Sequence, residues 1–145
     1  MNKEDLKIII NSVFLPVGYK QKNNNWVKNT CAINKIIHLQ TGYTGMDYYI
    51  NYGFVIVGLP LLEKMHLERR VASNNKKVQK RITELLDLES PIDDDLREKE
   101  LNEILKALVS KIDKVESAED LKIQILEDEV ECLLPRYVAD YLRID

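Results

Sequence analysis

The sequence predicts an α+β domain: an N-terminal helix on a four- to five-stranded, mainly antiparallel sheet, followed by a C-terminal helical bundle. Three observations carry the prediction. Apolar residues recur at helical spacing from Leu6 to Phe14, alternation takes over between Ile33 and Val57, and from Ser73 the period returns to that of a helix. A chain of 145 residues, 45% of them apolar, suits one domain spanning residues 1–145, with a helix-and-sheet part over 1–72 and a helical part over 73–145.

In the first element, Leu6, Ile9, Ile10, Val13 and Phe14 fall on one stripe of a helix running from about Lys3 to Leu15. Pro16 and Gly18 end it, because proline removes a backbone donor and glycine suits a chain reversal. Tyr19 to Lys22 and Trp26 to Lys28 read as short strands joined by Asn23, Asn24 and Asn25, a residue type that tolerates left-handed backbone angles. Alternation in the segment 31–40 puts Ile33, Lys35, Ile37 and Leu39 on one face. In 48–57 it does the same for Tyr48, Ile50, Tyr52, Phe54 and Ile56, and both faces are read as core-directed. The loop Thr41 to Asp47, punctuated by Gly42 and Gly45, makes these strands an antiparallel pair, and a fifth strand is expected around Met65 to Val71.

The second helix is expected to bury Val78, Ile82, Leu85 and Leu86. Ser90, Pro91 and Asp93 to Asp95 signal the start of a third, which carries Leu101, Ile104, Leu105, Leu108, Ile112 and Val115 inward. Ser117 is the expected cap of a fourth helix reaching about Leu134. A last short helix after Pro135 would bury Val138, Tyr141 and Leu142.

Net charge is −3, but the two parts differ in kind. Residues 1–80 hold 12 Lys and Arg against 5 Asp and Glu, a balance of +7; residues 81–145 hold 9 against 19, a balance of −10. A basic strand region and an acidic helical region are able to steer a charged partner. Cys31 and Cys132, far apart and without a Cys-x-x-Cys pair, are expected to be reduced, buried thiols of a cytoplasmic protein. The N-terminus lacks the pattern of a secretory signal, and no apolar run approaches the ~20 residues that span a bilayer, so no membrane association is expected.

Gly18-Tyr19-Lys20, then Trp26, Ile37-His38-Leu39-Gln40 and Tyr48-Tyr49-Ile50-Asn51-Tyr52-Gly53 resemble the bacterial family known as domain of unknown function 4304, over roughly residues 2–72. The strand Met65 to Arg70 matches the family's last strand more loosely. The resemblance implies a helix, an antiparallel sheet and a helical C-terminal part, with motif positions at Gly18, Tyr19, Trp26, Gln40, Asn51 and Gly53. It brings no established chemistry.

Catalytic signals are sparse, and neither a catalytic residue, a cofactor site nor a metal site is assigned. His38 and His66 have the wrong spacing for zinc and read as strand histidines without catalytic duty, rather than as an acid–base pair. No Gly-x-Ser-x-Gly elbow is present, and Gly42-x-x-Gly45 leads into a strand instead of the helix a phosphate loop needs. Gln40 and Asn51 read as buried amides tying the 41–47 loop to the sheet, and Asn51-Tyr52-Gly53 as a place of close backbone approach or a bulge.

The expectation is therefore a non-enzymatic interaction protein, immunity- or antitoxin-like. It would bind a protein partner such as a toxin through the acidic helices, at Asp93, Asp94, Asp95, Glu127, Asp128, Glu129 and Glu131. The alternative is a module for nucleic acid or another anionic ligand on the basic sheet, using Lys35, Arg69, Arg70, Tyr43 and Tyr49.

Overall fold

The computed structural model describes residues 1–128 and 133–144, and they follow the predicted order of elements. Helix α1 (Lys3–Phe14) opens on a reciprocal cap: the Asn2 side chain accepts from the Asp5 amide while the Asp5 carboxylate accepts from the Asn2 amide. Its stripe, Leu6, Ile9, Ile10, Val13 and Phe14, is buried throughout. A 3-10 turn over Leu15–Val17 ends at Gly18, whose φ of 98° lies where a side chain would be strained.

Strands β1 (Lys20–Lys22), β2 (Asn25–Asn29), β3 (Ile33–Thr41), β4 (Tyr48–Ile56) and β5 (Leu67–Arg70) form an antiparallel meander in sequence order. Asn23 turns the first hairpin with φ 57°. Alternation sorts the two faces as the sequence predicts. Trp26, Ile33, Ile37, Leu39, Ile50, Tyr52, Phe54, Ile56 and Leu67 are buried on one of them. There Trp26 Nε1 donates to Asn11 Oδ1 of α1 at 2.7 Å, and Phe14 meets Tyr19 edge-on at 4.9 Å. The helices gather on that side, leaving Val27, Ile36, His38, Gln40, Tyr49 and Val55 half-buried on the other.

Helices α2 (Lys76–Leu86), α3 (Asp94–Asp113), α4 (Ala118–Glu127) and α5 (Arg136–Leu142) complete the fold. Helix α3 packs along α1 and buries Leu101, Leu105, Leu108 and Ile112. It also buries Arg97, whose guanidinium donates to the carbonyls of Glu84, Leu85, Asp87 and Ser90. No helix among the described residues is long and apolar enough to cross a membrane.

Several predicted details are corrected. Helix α3 begins at Asp94 with Asp93 as its cap, because Ser90 closes a turn: its amide donates to the Asp87 carbonyl and its own carbonyl accepts from Arg97. Helix α4 stops at Glu127, where Asp128 turns extended at ψ 128°, instead of reaching Leu134. Val78 and Tyr141 stand in solvent, since only the inner part of each stripe meets the core. Cys31 is exposed at the turn before β3, and Cys132 lies outside the described residues.

Gly53 marks the close approach that its sequence context suggests. A Cβ there would stand 2.2 Å from the Leu67 carbonyl oxygen and 2.3 Å from Met65 Sδ. The thioether can turn aside, but the carbonyl belongs to the paired strand β5. Gly53→Ala is expected to lower the unfolding free energy by about 1–3 kcal/mol, the usual cost of overpacking. Urea denaturation followed by circular dichroism measures it, and a wild-type midpoint would show that β5 yields freely.

Candidate functional site

Strand register assembles one polar cluster on the open face of the sheet. Asn25 pairs with His38, His38 with Asn51 and Asn51 with Arg70, so one row crosses β2 to β5; Gln40 and Tyr49 pair in the next row. Residues distant in the chain thereby become neighbours, because successive strands lie about 4.8 Å apart.

Arg70 is the centre of the cluster. Its Nε donates to Asn51 Oδ1 at 3.2 Å, its Nη2 donates to Gln40 Oε1 at 3.1 Å, and Asn51 Nδ2 donates to the same Gln40 oxygen at 2.8 Å. A guanidinium has donors only, so both amides must turn their oxygens toward it. The guanidinium carbon lies 3.8 Å from the centroid of the Tyr49 ring, within range for cation–π attraction. Arg70 is exposed, Asn51 is buried, and among the described residues no carboxylate lies within ion-pair distance of Arg70. The result is a pre-organised cation held by neutral groups.

His38 extends the row, with Nδ1 at 2.9 Å from Asn25 Oδ1. Burial, with Lys64 and Lys3 adding to it, lowers its pKa against the opposing pull of Glu68 and the Asn24 backbone, so the ring stays neutral near pH 7. His66 is not its partner. It is fully buried, with Nδ1 accepting from the Ile56 amide at 2.8 Å and Nε2 at 2.9 Å from the Pro60 carbonyl, so both ring nitrogens are committed to backbone.

The amides Gln40 and Asn51 do not tie down the 41–47 loop; they cradle Arg70. The loop is held by Asp47, which accepts from the Thr44 amide at 3.0 Å and from the Thr44 hydroxyl, and by Leu88, whose amide donates to the Met46 carbonyl at 2.9 Å. The Thr44 hydroxyl is the main cause of a lowered Asp47 pKa. A carboxylate thus fills the Gly42-x-x-Gly45 turn, which is the wrong charge for a phosphate cradle.

The anion-binding set expected from the sequence divides between the faces. Arg70 and Tyr49 share the open face, and Tyr43 stands fully exposed in the adjoining loop. Lys35 and Arg69 are buried on the helix side, as alternation requires. Burial lowers the Lys35 pKa with help from Lys28, against the attraction of Asp113 and Glu116. Arg69 pairs with Asp128 at 3.1 Å.

The acidic set divides too. Asp93 caps α3, Asp94 meets the N-terminal amine at 3.6 Å and Asp95 is exposed beside them. Glu127 is exposed at the end of α4, and Asp128 is held inside by Arg69 and Lys111, the latter also at 3.1 Å. Glu129 and Glu131 lie outside the described residues. Lys111 sits near the C-terminal end of α3, 17 positions from Asp94, which is roughly 25 Å along a helix. The described acids of the expected set therefore fall into two separated groups.

Two clefts of about 460 and 570 Å³ run between residues 72–74 and helices α2, α3 and α4, sharing Lys111 and Asp128 in their walls. Their charged floor is occupied by the Arg69–Asp128–Lys111 contacts. Gly18, Tyr19 and Trp26, the other motif positions, shape the junction between α1 and the sheet: Tyr19 and Trp26 are core residues, and burial with Asp113 raises the Tyr19 pKa.

A family model described as Domain of unknown function (DUF4304) matches residues 10–143, well beyond the helix-and-sheet part that carries the sequence motifs, and the chain belongs to that family. No curated protein and no solved structure matches the chain.

Proposed function

We propose that this member of the domain of unknown function 4304 family is a non-enzymatic binding protein that recognises an anionic group at Arg70 on the open face of its sheet. One observation carries the reading: an exposed guanidinium fixed by Gln40, Asn51 and Tyr49, with no carboxylate within ion-pair distance among the described residues. Holding a long charged side chain in one rotamer costs entropy, and Asn51 is desolvated in doing so. Such an arrangement lowers the cost of capturing a ligand, because the receptor is ordered beforehand.

The chemistry fits anion capture. Nε and one Nη2 proton are engaged by the amides, leaving the Nη1–Nη2 edge to donate two parallel hydrogen bonds. The divided acids give less support to recognition through the helices.

Titrating the full chain with sodium acetate and inorganic phosphate, while following the arginine Nε–Hε resonances by NMR, tests the reading. A saturable shift at Arg70 is expected, together with shifts of the Gln40 and Asn51 side-chain amides that are lost in Arg70→Gln. The variant should stay folded while losing about 1–3 kcal/mol of unfolding free energy, because the buried Asn51 loses its donor, and circular dichroism checks that the fold is kept. No shift at Arg70 with either anion would sink the proposal.

A further inference from the structure

Resting on the reading of Arg70 as an anion receptor, we infer that its natural ligand is a Glu or Asp side chain delivered by a protein segment lying across the open face of the sheet.

Charge distribution separates a protein from a nucleic acid. A single strand needs a groove of cations that tracks successive phosphates, with aromatic rings on which bases stack. On the open face the other strand cations are Lys20 and Lys22 in β1, four strand spacings from β5, or roughly 19 Å. Between them the row is neutral: Asn25, His38 and Asn51. Lys35 and Arg69, which would have filled the gap, point to the helices. One face of the half-buried Tyr49 ring is already covered by Arg70, so a base stacking there would have to displace the guanidinium.

The receptor's own charge points the same way. One guanidinium set among neutral amides balances one negative charge, and the exposed Glu68, two residues away on the same face, repels a doubly charged group more than a singly charged one. A phosphate group carries more and draws additional cations or a helix N-terminus, whereas among the described residues the groups that hold Arg70 are the neutral Gln40, Asn51 and Tyr49. The Nη1–Nη2 edge matches the two oxygens of a carboxylate.

Around the receptor, the face has the mixture that protein interfaces use. Val27, Ile36 and Val55 are half-buried, giving apolar contact, while Asn25, His38 and Gln40 offer donors and acceptors for peptide groups. His38 is itself engaged through Nδ1 with Asn25 Oδ1 at 2.9 Å, which fixes its ring on this face. The partner's single carboxylate supplies the anchor and the open face supplies the area.

The test follows the Arg70 Nε–Hε resonance and the Gln40 and Asn51 side-chain amides of the full chain against four probes: glutamate blocked as its N-acetyl methylamide, inorganic phosphate, a short oligothymidylate, and an extended peptide with one Glu among apolar residues. The blocked glutamate should saturate at a concentration on the order of tenfold below that of phosphate. The peptide should bind more tightly still, while its Glu→Gln counterpart and the Arg70→Gln protein should show no saturable shift. Tighter binding of phosphate or of the oligothymidylate would overturn the protein-carboxylate assignment and leave the anion receptor standing. A peptide no tighter than blocked glutamate would overturn docking on the face, and silence toward every probe would overturn both this inference and the receptor itself.

Discussion

Arg97→Met is expected to remove about 3–5 kcal/mol of unfolding free energy, the scale seen when one side of a buried charged network is deleted. Arg97 is 1% exposed and serves the end of α2, where the last carbonyls of any helix lack intrahelical donors. Its Nη1 reaches the carbonyls of Glu84 at 3.1 Å, Leu85, and Asp87 at 3.1 Å, and its Nη2 reaches that of Ser90 at 2.9 Å. Methionine fills similar space but donates nothing, so buried carbonyls are left without their charged donor. Lysine should recover little, because one ammonium cannot reproduce a planar fork. Against a typical domain stability of about 5–15 kcal/mol, the loss is a large fraction. Urea denaturation of both variants measures it, and a methionine variant with the wild-type midpoint would show that the four carbonyls are satisfied without the guanidinium.

Arg97 also shows where periodicity stops being informative. It precedes Leu101 by four positions, and so sits on the stripe formed with Leu105, Leu108 and Ile112. A charge on an apolar stripe is a signal, but a reading that counts only apolar residues passes over it. Lys35 gave the same warning more plainly: alternation placed it with Ile33, Ile37 and Leu39, while composition grouped it with Arg70 as a surface cation. The structure follows alternation, since the backbone fixes which face a side chain takes and composition does not.

The receptor was legible only in pieces. Gln40, Tyr49, Asn51 and Arg70 could each be singled out from the sequence, but their convergence depends on the register of three strands. That register is set by the 42–47 turn and by the segment between β4 and β5. Asp47 organises the first through Thr44, and His66 fixes the second to Ile56 and Pro60. Neither constraint is a local propensity, which is why the strands could be placed in sequence while the cluster they build could not.

Trp26→Ala should cost a similar amount, about 3–5 kcal/mol, from lost burial plus the cavity left behind. Trp26 is wholly buried in β2, an edge-proximal strand with only the three-residue β1 beyond it, so its ring supplies much of what holds this side of the sheet to α1. Its Nε1–H also donates to Asn11 Oδ1 at 2.7 Å. Asn11 is only half-buried, so water can reach it when the donor is lost, and the bond itself is worth about 0.5–1.5 kcal/mol. Trp26→Phe should therefore lose less than Trp26→Ala, since it keeps most of the apolar volume and removes the donor. Asn11→Ala made in the Trp26→Phe background should add less than it does alone, because the shared bond has already gone. As Trp26 is the only tryptophan, circular dichroism must follow these unfolding curves in place of fluorescence. If Trp26→Phe proved as damaging as Trp26→Ala, the indole N–H rather than the ring's volume would be what fastens α1 to the sheet.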